Sequence, residues 1–135
     1  MNPVHATCVA VDGRAVLIEG PSGSGKSDLA LRLIDRGARL VSDDYTALAL
    51  TDGVLTASAP PTIAGRIEVR GLGILQVAPL AAAPVALMVR AGTPERMPEP
   101  ATCVIGGVTV PLTILSLLEP SAPLKVERAL ARVPR

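Results

Sequence analysis

The octet Gly20-Pro21-Ser22-Gly23-Ser24-Gly25-Lys26-Ser27 follows the apolar run Ala15-Val16-Leu17-Ile18 and precedes a segment in which Leu29, Leu33 and Ile34 recur at helical spacing. It fits the pattern G-x-x-x-x-G-K-[S/T], with the strand before it and the helix after it that such a loop requires. That context restricts the chain to α/β folds in which a strand delivers a tight loop to a helix N-terminus. Glycines let the backbone curl with its N–H groups inward, and the helix N-terminus adds a fixed partial positive charge. Lys26 is spaced to reach the outer phosphates of a nucleoside triphosphate, and Ser27 to ligate Mg²⁺. Nucleotide binding through residues 20–27 is the first expectation.

The rest of the composition removes competing classes. At 135 residues, the length predicts a single domain, 1–135, large enough to bury a core. A formal net charge of +1 with 19% charged residues gives no basic surface for nucleic acid. Tyr45 is the sole aromatic residue, so the core must be built from Val, Leu, Ile and Ala, and no set of stacking rings exists. Cys8 and Cys103 are far apart and lack a C-x-x-C partner, which predicts buried free thiols rather than a zinc site or a disulfide framework. Residues 1–5 carry no secretory pattern, and the apolar stretch from Ile74 to Val89 is interrupted by Gln76, Pro79 and Pro84. A cytoplasmic protein without membrane insertion is expected.

Strand signals are dense. Residues 7–11 and 15–18 flank Asp12-Gly13, a strong hairpin signal. Gly37 caps the helix that follows the loop, and Arg39-Leu40-Val41-Ser42 reads as a buried strand leading into Asp43-Asp44. A second hairpin is expected over 46–57 with its turn at Asp52-Gly53, and a third over 102–113 with its turn at Gly106-Gly107. Ile67 to Arg70 alternates like a strand, Gly71-Leu72-Gly73 breaks it before Ile74 to Val77, and Val85 to Val89 reads as a core strand. Residues 95–100 form a proline-rich loop, and Val126, Ala129, Leu130 and Val133 give a terminal amphipathic helix over 124–133. The fold class is α/β, a strand-rich phosphate-loop fold with a mixed sheet and hairpins.

Phosphoryl transfer needs a phosphate cradle, a metal, a group that deprotonates the acceptor, and a cation. Asp43 and Asp44 lie seventeen and eighteen residues after Lys26, at the end of an apolar strand expected beside the loop. Strand alternation would turn one carboxylate to the metal and the other to the acceptor. Glu68 and Arg70 share one strand face, next to glycines that permit close approach of a ligand. By themselves these two residues read equally well as a surface ion pair.

Three ordered blocks together resemble the catalytic domain of the HPr kinase/phosphorylase family, which phosphorylates a serine of the phosphocarrier HPr. They are residues 20–27, Arg36-Gly37-Ala38-Arg39-Leu40-Val41-Ser42-Asp43-Asp44, and Ile67-Glu68-Val69-Arg70-Gly71-Leu72-Gly73-Ile74-Leu75-Gln76-Val77. The third is similar to that family's signature sequence, and the resemblance runs from about His5 to about Thr113. It implies a fold also similar to PEP carboxykinase, with ATP and Mg²⁺ as cofactors. It also implies an HPr-type partner and a homo-oligomer, by family a hexamer.

Under this resemblance Lys26 holds the β- and γ-phosphates, and Ser27, Glu68 and Asp43 are the metal-associated residues. Asp44 is the base that accepts the serine proton, and His5, twenty-one residues before Lys26, is the active-site histidine. Without the resemblance, His5 reads as a surface residue of a frayed terminus. Arg96, in Pro94-Glu95-Arg96-Met97, resembles the arginine of the family's Asp-Arg-Leu-Gly loop, with a solvated loop arginine as the alternative reading.

Two departures stand out. The chain starts almost at the catalytic domain, which implies a short form without the family's N-terminal domain. The Arg- and Gly-rich loop that the family uses in dephosphorylation is replaced by residues 115–125, whose only cation is Lys125. Lys125 or Arg128 would supply part of that charge, but lysine does not reproduce a bidentate guanidinium fork, which leaves phosphorolytic dephosphorylation with release of pyrophosphate as an open second activity. A small-molecule kinase on a PEP carboxykinase-like scaffold and an inactive nucleotide sensor are the alternatives at this stage.

Overall fold

Turn chemistry and strand propensity combine into ten strands and two α-helices, in a computed structural model that describes all 135 residues. β1 (Thr7–Val11) and β2 (Arg14–Glu19) form the first hairpin. Its turn residues Asp12 and Gly13 both have positive φ, 50° and 78°, the geometry that matches the twist of a two-residue hairpin. After the glycine-rich loop comes α1 (Lys26–Asp35), and β3 (Arg39–Ser42) returns to pair antiparallel with β1. β4 (Ala47–Thr51) and β5 (Val54–Ser58) form the second expected hairpin, and β6 (Arg66–Val69) pairs with β7 (Gly73–Gln76) as a separate small sheet. β8 (Ala82–Ala91), β9 (Ala101–Ile105), β10 (Val108–Leu115) and α2 (Ala122–Ala131) complete the chain.

The main sheet runs β3-β1-β2-β8-β10-β9, with β2, β8 and β10 mutually parallel. β3 is antiparallel to β1, as β2 is, so the carboxyl ends of β3, β2, β8 and β10 all lie along one edge. β8 is long enough to do two jobs. Its first residues pair with β5 and its later ones with β2 and β10, which folds the β4–β5 hairpin over one face of the sheet.

Side-chain alternation then produces two cores. Val16, Ile18, Leu87 and Val89 pack under Leu29 and Leu33 of α1 and Val126 and Leu130 of α2, with Ile67 of β6 among them. On the opposite face Ala15, Leu17 and Met88 pack with Leu48, Leu55 and Ala57 of the β4–β5 hairpin. The two helices are also clasped by Arg36, whose Nε and Nη2 donate to the Glu127 carboxylate at 2.8–3.1 Å.

The structure corrects three expectations. The β3 strand stops at Ser42, and Asp43 and Asp44 lie in a bend in which Asp44 takes φ 69°. A turn of the backbone, not the strand pleat, therefore separates the two carboxylates. Of the two thiols only Cys8 is buried, where loss of solvent pushes its pKa up and keeps it protonated, while Cys103 is half-buried. The terminal helix begins at Ala122, two residues before the expected start, because Pro123 is tolerated in a helix's first turn. No helix is long and apolar enough to cross a membrane.

Candidate functional site

The loop from β2 to α1 is shaped by its glycines. Gly23 and Gly25 take φ 84° and 104°, left-handed values that side chains avoid, and Gly25 caps α1 in that conformation. A methyl group on Gly25 would also lie 2.6 Å from Leu118 Cδ2 and 3.5 Å from Leu117 Cβ. Gly25→Ala therefore combines a backbone cost of about 1–2 kcal/mol with a steric clash. It is expected to lower the thermal midpoint by several degrees and weaken nucleotide binding, which a melt with and without ATP checks.

Lys26 is buried, 7% exposed, with Nζ turned back into the loop to donate to the carbonyls of Gly20 at 2.7 Å and Pro21 at 3.2 Å. Its ammonium thus sits in the concavity of the loop. Pro21, Ser22, Gly23 and Ser24 complete the turn, closed by the Ser24 N–H donating to the Pro21 carbonyl at 3.1 Å.

Asp43 joins four elements. Its Oδ1 accepts from Ser27 Oγ at 2.6 Å and from Thr7 Oγ1 at 3.0 Å, while Oδ2 accepts from the Glu68 N–H at 2.9 Å. Asp43 is 7% exposed, and the bond from Thr7 is fully buried while those from Ser27 and Glu68 are part-buried. Thr7 in turn accepts from the Asp44 N–H at 3.1 Å, which fixes the bend that points Asp44 outward.

Asp44 is exposed, and its Oδ1 lies 2.9 Å from His5 Nε2. Because a carboxylate only accepts, Nε2 carries the hydrogen in this pair. His5 is no frayed terminus. Val4 and Thr46 form a two-bond antiparallel bridge, each N–H donating at 2.9 Å to the other's carbonyl, and the imidazole stacks on Tyr45 with centroids 4.9 Å apart.

Among the expected residues, the structure thus brings together Lys26, Ser27, Asp43, Asp44 and His5. Glu68 joins through its backbone N–H, while its side chain is exposed and makes no ion pair. Arg96 lies in the loop leaving β8 at the same sheet edge, exposed, with no side-chain hydrogen bond to the other site residues.

No three His, Cys, Asp or Glu side chains are grouped closely enough to hold a metal by themselves. The Ser27 hydroxyl and Asp43 carboxylate nevertheless converge as hard oxygen donors, the set that suits Mg²⁺ when phosphate oxygens and water complete its octahedron.

Sequence reasoning missed Thr7 and Leu118 and left Arg70 open. Thr7, fully buried in a run of apolar strand residues, was marked only by its polarity. Arg70, treated as an equal bet for a surface pair, brings its Nη2 within 3.9 Å of a methyl position on Gly23. Leu118, in the departed tail segment, abuts Gly25.

A glycine-rich strand-to-helix loop, a lysine inside it, and a carboxylate from the bend after β3 bonded to the following serine define a phosphate-loop α/β domain. The family model for the HPr Serine kinase C-terminal domain matches residues 1–83. The chain is 47% identical over 77 residues to the HPr kinase/phosphorylase of Clostridium botulinum (strain Eklund 17B / Type B), covering 57% of this chain and 25% of that protein. Against that of Geobacillus sp. (strain WCH70) it is 51% identical over 75 residues, covering 55% of this chain and 24% of that protein. It spans about a quarter of the length of these curated relatives. The solved structure of the Hpr(Ser) kinase/phosphatase from Coxiella burnetii superposes with a TM-score of 0.85 at 32% identity, covering 97% of this chain and 89% of that one. The chain belongs to the HPr serine kinase C-terminal domain family.

Proposed function

We propose that this protein is an ATP-dependent protein-serine kinase, acting in the cytoplasm on an HPr-type phosphocarrier. The observation that carries the reading is the Asp43 junction, which ties the serine after the loop lysine to the bend that presents Asp44. Family membership supports the acceptor class. A homo-oligomer fits the same membership, and light scattering measures it.

Residues 20–27 cradle the triphosphate, and Lys26 Nζ leaves its two carbonyls to meet the outer phosphates. Ser27 and Asp43 would hold Mg²⁺, with Glu68 at the rim of its shell; when bound, the ion neutralises charge developing on the transferred group. Asp44 takes the proton of the acceptor serine as its oxygen attacks the γ-phosphorus. The bond from that phosphorus to the β–γ bridging oxygen breaks, and ADP leaves. His5 keeps Asp44 oriented through its 2.9 Å hydrogen bond. Arg70, beside Gly23, and Arg96, on the loop after β8, supply positive charge at the phosphates.

The test is mass spectrometry of HPr incubated with the protein, Mg²⁺ and ATP. A single phosphoserine on HPr is the expected product, and unmodified HPr would overturn the reading. Adding excess inorganic phosphate then measures the reverse direction. With no arginine in residues 115–125, phosphoserine is expected to persist and pyrophosphate to stay at background.

Lys26→Ala is expected to weaken ATP binding about tenfold or more and to abolish transfer, since a charge-assisted contact to the phosphates is lost. Unchanged affinity in a calorimetric titration would remove the loop from the nucleotide site.

A further inference from the structure

We infer that the segment 116–119, with Leu118 as its contact residue, is the shelf on which the purine base of the nucleoside triphosphate lies. The inference deepens the proposed function and rests on residues 20–27 holding the phosphates.

Direction comes from topology. Asp43, Asp44 and His5 lie on the β1–β3 side of the glycine-rich loop, and β8 and β10 lie on its other side. In open sheets with parallel strands, ligands lie in the crevice along the strands' carboxyl ends. A nucleotide with its outer phosphates toward Asp43 therefore runs its ribose and base toward the ends of β8 and β10. Segment 116–119 directly follows β10.

Contact comes from chemistry. A base needs an apolar surface to cover its ring faces, and the chain's one aromatic side chain, Tyr45, is stacked on His5 on the opposite side. Leu118 is 59% exposed, yet its Cδ2 comes within 2.6 Å of a methyl position on Gly25, the residue that opens α1. A large apolar side chain left open to solvent at the rim of a phosphate loop is placed to be covered by the ligand.

The shelf is also rigid before any ligand arrives. Arg32 of α1 donates from Nη1 to the Glu119 carbonyl at 3.0 Å and from Nη2 to the Leu117 carbonyl, and its Nε is held by Asp28 at 2.7 Å. Leu117 is buried in the helix-side core, and Glu119 pairs with Lys125 at the start of α2. Leu118 is thus the one solvent-facing apolar tooth on a clamped turn. Fixing a contact surface in advance lowers the ordering cost of binding.

The test compares MgATP with inorganic tripolyphosphate, which carries the phosphates and no base, by calorimetric titration of the full chain. Leu118→Ala is expected to raise the dissociation constant for ATP about three- to tenfold and to leave that for tripolyphosphate within about twofold. Leu118→Met, which keeps the apolar reach, is expected to restore ATP affinity to within about twofold of the parent. Equal changes for the two ligands, or none for ATP, would overturn the shelf while leaving the phosphate loop standing. Failure of the parent to bind either ligand would overturn the loop reading and the shelf with it.

Discussion

Asp44→Asn is expected to slow phosphoryl transfer to HPr by about 10²–10⁴-fold while leaving MgATP affinity within about twofold. The side chain is exposed and hydrogen-bonds to neither the glycine-rich loop nor Ser27. Asp44 bonds instead to His5, through Oδ1, and to Thr7, through its own backbone N–H. Asparagine keeps the shape, keeps an oxygen to accept from His5, and keeps the backbone bond. What it loses is the capacity to take a proton from an attacking hydroxyl. The loss therefore falls on kcat and spares binding, the signature of an interaction made in the transition state. Single-turnover rates at saturating ATP, read beside calorimetric affinities, separate the two. Transfer at the parent rate would remove Asp44 from the role of base.

The elements that local chemistry dictates were legible in the sequence. Asp12-Gly13 and Asp52-Gly53 both mark hairpins because aspartate and glycine accept the positive φ these turns demand, 50° and 78° in the first, 52° and 79° in the second. The glycine-rich loop and its helix were legible for the same reason, being set by residues within a few positions of one another. So was the grouping of Asp43 with Ser27, because a loop that binds phosphate restricts where a metal-associated acid can come from.

What stayed hidden depends on pairings far apart along the chain. Nothing in Thr7 itself reveals that β1 lies between β2 and β3, and only that insertion carries its hydroxyl to Asp43. His5 reads as a terminal residue until the bridge between Val4 and Thr46 is known. Leu118 belongs to the stretch where the sequence leaves its family pattern, so resemblance offered no role for it, and its contact with Gly25 follows from β10 packing beside β8. Arg96 shows the reverse case. Its loop leaves the expected sheet edge, yet its guanidinium makes no hydrogen bond to the residues with which the family pattern groups it.

Asp43→Ala carries the largest expected cost in stability. Truncation leaves the Ser27 and Thr7 hydroxyls and the Glu68 N–H without their acceptor. A buried donor that loses its partner costs about 1–3 kcal/mol. The hydroxyls can rotate toward other acceptors, and the part-buried Ser27 hydroxyl and Glu68 N–H regain some water, so about 1–3 kcal/mol is expected for the three together. Against a typical total of about 5–15 kcal/mol, that is enough to unfold much of the protein near its melting range. The same bonds join β1, α1, β6 and the bend after β3, so the β6–β7 hairpin also loses a tie to the main sheet. Asp43→Asn separates this structural role from the metal role. Its amide oxygen can still accept from Glu68 and its NH₂ can donate to hydroxyls that turn round, so its melt is expected within about 1–2 kcal/mol of the parent. A neutral amide is nonetheless a poorer Mg²⁺ ligand than a carboxylate, so the Mg²⁺-dependent part of ATP binding should fall in the Asn variant. Denaturant titration and calorimetry with and without Mg²⁺ distinguish the two effects. An Ala variant as stable as the parent would mean that the three donors have other acceptors, and an Asn variant with parental Mg²⁺ dependence would take Asp43 out of the metal site.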